Sequence, residues 1–230
     1  MTSVPNGPAL AGSPAAWVTA AVAGIAAPAA AMVVLAAGND SAPMAVFGGP
    51  LLAVGLMGTG MIAASAAGRL WIGVGLSLIA GACLVLLAHA LGMALPLHPL
   101  SVALAMLVAS LSFAARGALF ARSAADKGWW IAVFVVGGEA AILATAVALP
   151  KSLPAWLLTL LPAQWASMAI QSALTGAGTG ARGAIAALLA LAGTAATTLL
   201  VARLWPRRWP YLIMFTAWLA LSALVWHQSA

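Results

Sequence analysis

Glu139, in Gly137-Gly138-Glu139-Ala140, is a carboxylate inside an apolar run. It stands about ten residues into the run 129–149, roughly 15 Å from the nearer end at 1.5 Å per residue. At that depth in lipid a carboxylate must be protonated, paired or solvated by a cavity, which makes it a functional candidate by default. Arg116 lies about six residues inside the end of the preceding run, 98–121, on what would be the adjacent antiparallel helix. The two side chains can meet as an ion pair or in a shared hydrogen-bond network. Three readings stay open: a structural tie fixing helix register, a proton or substrate relay, or two side chains snorkelling apart to the interface.

Other chemistry is sparse. His89, His98 and His227 have no i,i+3 or i,i+4 spacing, so no metal site is expected. Ala223-Leu-Val-Trp-His227 resembles the Ala-x-x-x-His pattern of pigment ligation in bacterial light-harvesting helices, and His89 is a candidate axial haem ligand; a transmembrane haem needs a second His on a facing helix. Cys83 is the one cysteine, which excludes an intramolecular disulfide and suits an inert buried thiol. There is no Gly-x-Ser-x-Gly, His-Glu-x-x-His or Walker-type loop, and three acidic residues leave few players for acid–base or metal-assisted steps. The chain is not expected to be an enzyme, and no cofactor is indicated. Gln164 and Gln171 are the remaining polar groups that could line a path with Arg116 and Glu139.

The elements that must position these residues follow from composition. Nine Lys and Arg and three Asp and Glu in 230 residues, 65% hydrophobic residues and a mean hydropathy of +1.12 define an integral membrane protein. Runs at 15–38, 43–67, 70–95, 98–121, 129–149, 155–175, 183–204 and 210–226 are continuously apolar, without the alternation of a barrel strand. The expectation is a short polar tail over 1–14 and one transmembrane domain over 15–230. A net charge of +6 in such a chain points to anionic lipid headgroups rather than nucleic acid. An Arg-, Ala- and Gly-rich composition suits a bacterial cytoplasmic (inner) membrane.

If all eight runs crossed, basic residues would divide evenly between the faces. The run from Lys151 to Gly183 is atypical, with Pro154, Pro162, Gln164, Gln171, Thr175 and the stretch Gly176-Ala-Gly-Thr-Gly180. If it enters and returns on one side, Arg203, Arg207 and Arg208 join Arg69, Arg122 and Lys127, opposite Lys151, Arg182 and Asp40. That asymmetry matches the positive-inside tendency. The fold expected is therefore an all-α polytopic bundle of seven transmembrane helices plus one re-entrant or interfacial segment, N-terminus cytoplasmic, with eight plain crossings as the alternative.

Of ten Trp, those at 17, 71, 129, 130, 156, 205, 209 and 226 fall near helix ends and read as interfacial anchors, with Arg203, Arg207 and Arg208 beside Trp205 and Trp209. Small residues in Gly55-Leu-Met-Gly58-Thr-Gly60, Gly73-Val-Gly75 and Gly137-Gly138 allow close helix approach, within the chain or to other subunits.

Ala148-Leu-Pro150, Leu153-Pro-Ala-Trp156, Leu161-Pro-Ala-Gln-Trp165, the Gly-rich turn and Arg203-Leu-Trp-Pro-Arg-Arg208 resemble the last third of ABC-2-type permeases. In that family two short outer helices dip back between the final two core spans, and a separate ATPase pairs with the permease. The chain departs from it by an extra final helix and by lacking a charged amphipathic helix before the first span. Two functions are thus expected: a non-catalytic subunit or assembly element of a larger inner-membrane complex, with lipids and other subunits as partners, or a permease or channel-like component moving a small or lipophilic substrate.

Overall fold

The computed structural model describes residues 13–38, 43–92, 96–176 and 180–229; most of the N-terminal tail, Asp40 and 177–179 of the Gly-rich stretch lie outside them. The described residues form helices: α1 (Pro14–Ala21) and α2 (Ala27–Ala37) joined by one π turn (Val22–Ala26), α3 (Pro43–Ala67), α4 (Leu70–Ala90), α5 (Pro99–Ala124), a 3-10 turn (Ala125–Lys127), α6 (Gly128–Ala148), α7 (Ala155–Thr159), α8 (Pro162–Thr175), α9 (Gly180–Leu204) and α10 (Trp209–Ser229). Among the described residues six stretches are long and apolar enough to cross a membrane: Pro14–Ala37, Val46–Ala67, Leu70–Ala90, Pro99–Ala148, Gly180–Leu204 and Trp209–Gln228. The chain is a membrane-embedded, all-helical polytopic protein.

Pro99–Ala148 is not one straight rod. Ala125 interrupts it with φ 46°, and Arg116 on α5 touches Glu139 on α6. Straight helix would hold those two residues about 35 Å apart, so α6 doubles back along α5. The run expected at 155–175 likewise resolves into two short helices, α7 and α8, meeting at Leu160 and Leu161.

α3 is the hub. It is the most buried of the long helices and packs against α1, α2, α4, α5, α6 and α8, while α9 packs against α5, α8 and α10. Small residues permit this closeness. A Cβ on Gly58 would meet the backbone of Ala23 and Gly24 at 2.8 Å, and one on Gly117 would run into the Met61 carbonyl. Two prolines break the hydrogen-bond ladder in this region. Pro28 has no N–H to return to Gly24, and the chain loosens into the π turn just before it. Pro50 lies inside α3, and the neighbouring Gly49 N–H donates to Gln171 Oε1 on α8 at 2.7 Å. Ser77 on α4 ties three helices, donating to Leu56 O at 2.9 Å and lying 3.0 Å from Ser110 Oγ on α5.

Aromatic and basic side chains gather at helix ends. Trp129 and Trp130 stack at 4.3 Å between centroids and Trp205 meets Tyr211 edge-on at 6.2 Å; Trp71, Trp209, Arg203, Arg207 and Arg208 are exposed. The Arg122 guanidinium donates to the Ala202 carbonyl, which places the ends of α5 and α9 on one face.

Gly117→Val should force α5 away from α3 and cost about 1–3 kcal/mol by overpacking. Gly75→Ala, where a Cβ meets nothing within 4 Å, should stay within about 0.5 kcal/mol of the parent. Thermal unfolding in mild detergent measures both, and equal losses would contradict the close α3–α5 approach.

Candidate functional site

Glu139 sits eleven residues beyond Gly128 on α6, about 16 Å along the helix and near the middle of its 21 residues. Its two carboxylate oxygens have different partners. Oε1 is 3.5 Å from Arg116 Nη1, the one salt bridge among the described residues, and Oε2 accepts the backbone N–H of Ala163 at 2.9 Å. Ala163 lies in the first turn of α8, so the carboxylate caps the N-terminus of a helix that begins inside the bundle. A helix start leaves N–H groups without intrahelical acceptors, and its positive dipole end favours an anion.

The α7–α8 turn exposes carbonyls at the same depth, and two indoles meet them. Trp165 Nε1 donates to Thr159 O at 2.8 Å, and Trp218 Nε1, from the middle of α10, donates to Leu160 O at 3.2 Å. Gln164 N and Trp165 N both return to Leu161 O, at 3.0 and 3.2 Å. Pro162 follows, a residue with no N–H to satisfy. Glu139, Trp165 and Trp218 thus close hydrogen bonds that the turn leaves open within its own two helices.

Arg116 is held by more than the carboxylate. Nη2 donates to Ser112 Oγ at 3.4 Å, and the guanidinium carbon lies 5.3 Å from the Phe113 ring centroid. Ser112 Oγ is 3.2 Å from Thr194 Oγ1 on α9, whose hydroxyl donates to Leu191 O at 3.0 Å. A polar chain therefore runs from the α8 N-terminus through Glu139, Arg116 and Ser112 to α9.

That chain borders a cavity of about 400 Å³ lined by Arg116, Leu119, Phe120, Val135, Glu139, Leu160, Leu161, Pro162, Thr194, Thr198, Met214, Phe215 and Trp218. Both ionic side chains keep contact with it, 15% and 14% exposed. The walls are otherwise nearly all apolar. α6 and α10 flank the opening without packing along one another, and Phe215, 55% exposed at its edge, faces the lipid side. The cavity extends from the α7–α8 turn toward the face that carries Arg122, because Leu119 and Phe120 lie in the last turns of α5.

The other sequence candidates are dispersed. Gln171 lies on α8 against Gly49, away from the cavity, and Gln164 is half-buried outside its wall. His89 and His227 are exposed on different helices, and no group of three or more His, Cys, Asp or Glu that could hold a metal occurs among the described residues. Cys83, expected to be buried, is exposed on the outer side of α4. Sequence reasoning missed Trp165 and Trp218. Their signal was available: they are the two tryptophans that stand away from the expected helix ends.

Removing one partner of the ion pair should cost about 3–5 kcal/mol. The doubly substituted Glu139→Ala/Arg116→Ala protein should lose less than the sum of the single variants, as measured by unfolding in detergent; strict additivity would show that the groups do not couple. Trp218→Phe should cost about 1–3 kcal/mol by leaving Leu160 O unpaired, whereas Trp71→Phe at an exposed site should be near neutral.

Compared with known protein families, curated proteins and solved structures, the chain matches none, so the functional reading rests on its own geometry.

Proposed function

We propose that this chain is a permease-like transport component of a bacterial cytoplasmic membrane that admits a lipophilic substrate from the bilayer into the cavity beside Arg116 and Glu139. The observation that carries this reading is the cavity itself: about 400 Å³, within the range of small-molecule sites, apolar-walled, with one ionic pair at its deep end. A structural tie alone does not require open volume around it.

The topology that goes with this reading has seven crossings and one re-entrant hairpin. α5 and α6 supply two antiparallel passes within Pro99–Ala148, and α7 with α8 enters to the depth of Glu139 and returns. The Arg122–Ala202 contact supports placing Arg203, Arg207 and Arg208 with Arg122 and Lys127, and by the positive-inside tendency that face is cytoplasmic. A hairpin in this position is also the feature by which the C-terminal third resembles ABC-2-type permeases, with α10 as the departure.

A second reading, a non-catalytic subunit docking through small-residue faces, is favoured by one observation. Gly137 and Gly138 are exposed on α6 and a Cβ on either would meet nothing within 4 Å, which leaves room for a partner helix. Gly55, Gly58, Gly60 and Gly73 are spent on contacts inside the chain.

In lipid nanodiscs, native mass spectrometry should find a lipophilic molecule retained by the parent protein and lost from Val135→Trp, which fills the cavity mouth; equal retention or none would refute the cavity as a substrate site. In a Cys83→Ser background, an impermeant maleimide on intact spheroplasts should label Ser152→Cys and spare Ser123→Cys. The reverse pattern would invert the orientation.

A further inference from the structure

We infer that the ligand of this cavity is a lipophilic acid, a single carboxylate on an apolar body, which binds Arg116 and passes its proton to Glu139. This rests on the cavity being a binding site and names the chemistry its wall accepts.

Arg116 brings more N–H donors to that wall than its contacts use. A guanidinium has five N–H donors, and Arg116 commits two contacts, to Glu139 and Ser112. Both Glu139 oxygens already accept, from Arg116 and from Ala163. The Thr194 hydroxyl donates to Leu191 O and that of Thr198 to Met214 Sδ at 3.9 Å. Arg116 is therefore the group with donors to offer, and what it selects is an acceptor, best of all a carboxylate that can take two parallel N–H bonds. Leu119, Phe120, Val135 and Phe215 supply an apolar surround for the remainder of the molecule.

Charge decides how the acid enters. The Arg116–Glu139 pair is neutral, and a bare anion added to it would leave an uncompensated negative charge in a low-dielectric site. An acid arriving protonated avoids that. Its O–H bond breaks, the carboxylate takes the place of Glu139 Oε1 on Arg116, and an O–H bond forms on the released oxygen. Net charge is unchanged and no electrons are transferred. Glu139 Oε2 keeps the Ala163 N–H throughout, so the start of α8 stays capped.

The surroundings leave no other group to take the proton. Arg116 is the charged group facing Glu139 from α5; α3, α8 and α10 carry no Asp, Glu, Lys or Arg, and α9 presents Thr194 and Thr198.

The test is quenching of tryptophan fluorescence in nanodiscs by dibromostearic acid and by its methyl ester, since Trp218 lines the cavity. Saturable quenching by the acid is expected, competed by stearate and absent from Trp218→Phe, with the ester at least about tenfold weaker. Arg116→Gln should weaken the acid about tenfold and leave the ester unchanged. Glu139→Gln, uncharged like the protonated carboxyl and still able to accept from Ala163, should bind the acid about tenfold tighter. Acid and ester binding alike would overturn the acid assignment while leaving the cavity a site for neutral lipophiles. Weaker acid binding by Glu139→Gln would overturn the proton transfer. No competable quenching by either probe would overturn the cavity reading itself. The acid–ester comparison on the parent protein stands even if a variant fails to fold.

Discussion

Inside a bilayer every backbone N–H and C=O must find a partner in the protein, and in the proposed topology the turn between α7 and α8 is where this chain meets that constraint most severely. A helix that crosses fully puts its unsatisfied ends at the interface, among water and headgroups. One that stops halfway leaves orphan groups in hydrocarbon, at several kcal/mol each. The protein brings three side chains from three helices to that point: Glu139 from α6 for an N–H, Trp218 from α10 and Trp165 from α8 itself for carbonyls.

The choice of a carboxylate has consequences. A neutral acceptor could cap α8, but an ionised one bonds the helix start more strongly and answers its dipole. It then needs a counter-charge. Arg116 supplies it, and the guanidinium in turn is anchored by Ser112 and the Phe113 face. The polar chain that crosses α5, α6, α8 and α9 is thus a sequence of obligations started by a single broken helix. Gln171 shows the same logic on a smaller scale, its amide serving the Gly49 N–H beside Pro50.

Much of this was legible in the residues. Long apolar runs predict helix bounds to within a few residues, as in 43–67 against Pro43–Ala67 and 183–204 against Gly180–Leu204, because hydropathy and Pro/Gly punctuation act locally. The approach of Arg116 to Glu139 was legible too, since two residues at similar depth on antiparallel neighbours have few other places to go. The split at Leu160 and Leu161 was legible in part: Pro162, the first residue of α8, marked the run as atypical, but the side chains that serve the turn come from α6 and α10, which spacing along the run does not report. Gln164 and Gln171 seemed to belong with Glu139 for want of any other reason to lie in lipid. Depth along α8 separates Gln171 from Glu139, and Gln164, beside Ala163, stands off the cavity wall; sequence spacing does not report which neighbour a helix face meets. Cys83 looked buried for the same reason: in lipid, apolar surroundings in sequence do not mean burial in protein.

The hairpin also explains why there is a cavity to consider. α8 has 14 residues, about 21 Å of helix, against the roughly 30 Å of a hydrocarbon core. Below its start, the place in the bundle between α6 and α9 has no helix to fill it. α10 lies outermost there, packed on α9 and α7 and reaching inward through Trp218, and the space is bordered by large flexible or aromatic side chains, Met214, Phe215 and Phe120. An eighth long helix in place of the hairpin would bury those side chains and remove the need for both Glu139 and Arg116. The ionic pair and the open volume are therefore two outcomes of one choice of architecture.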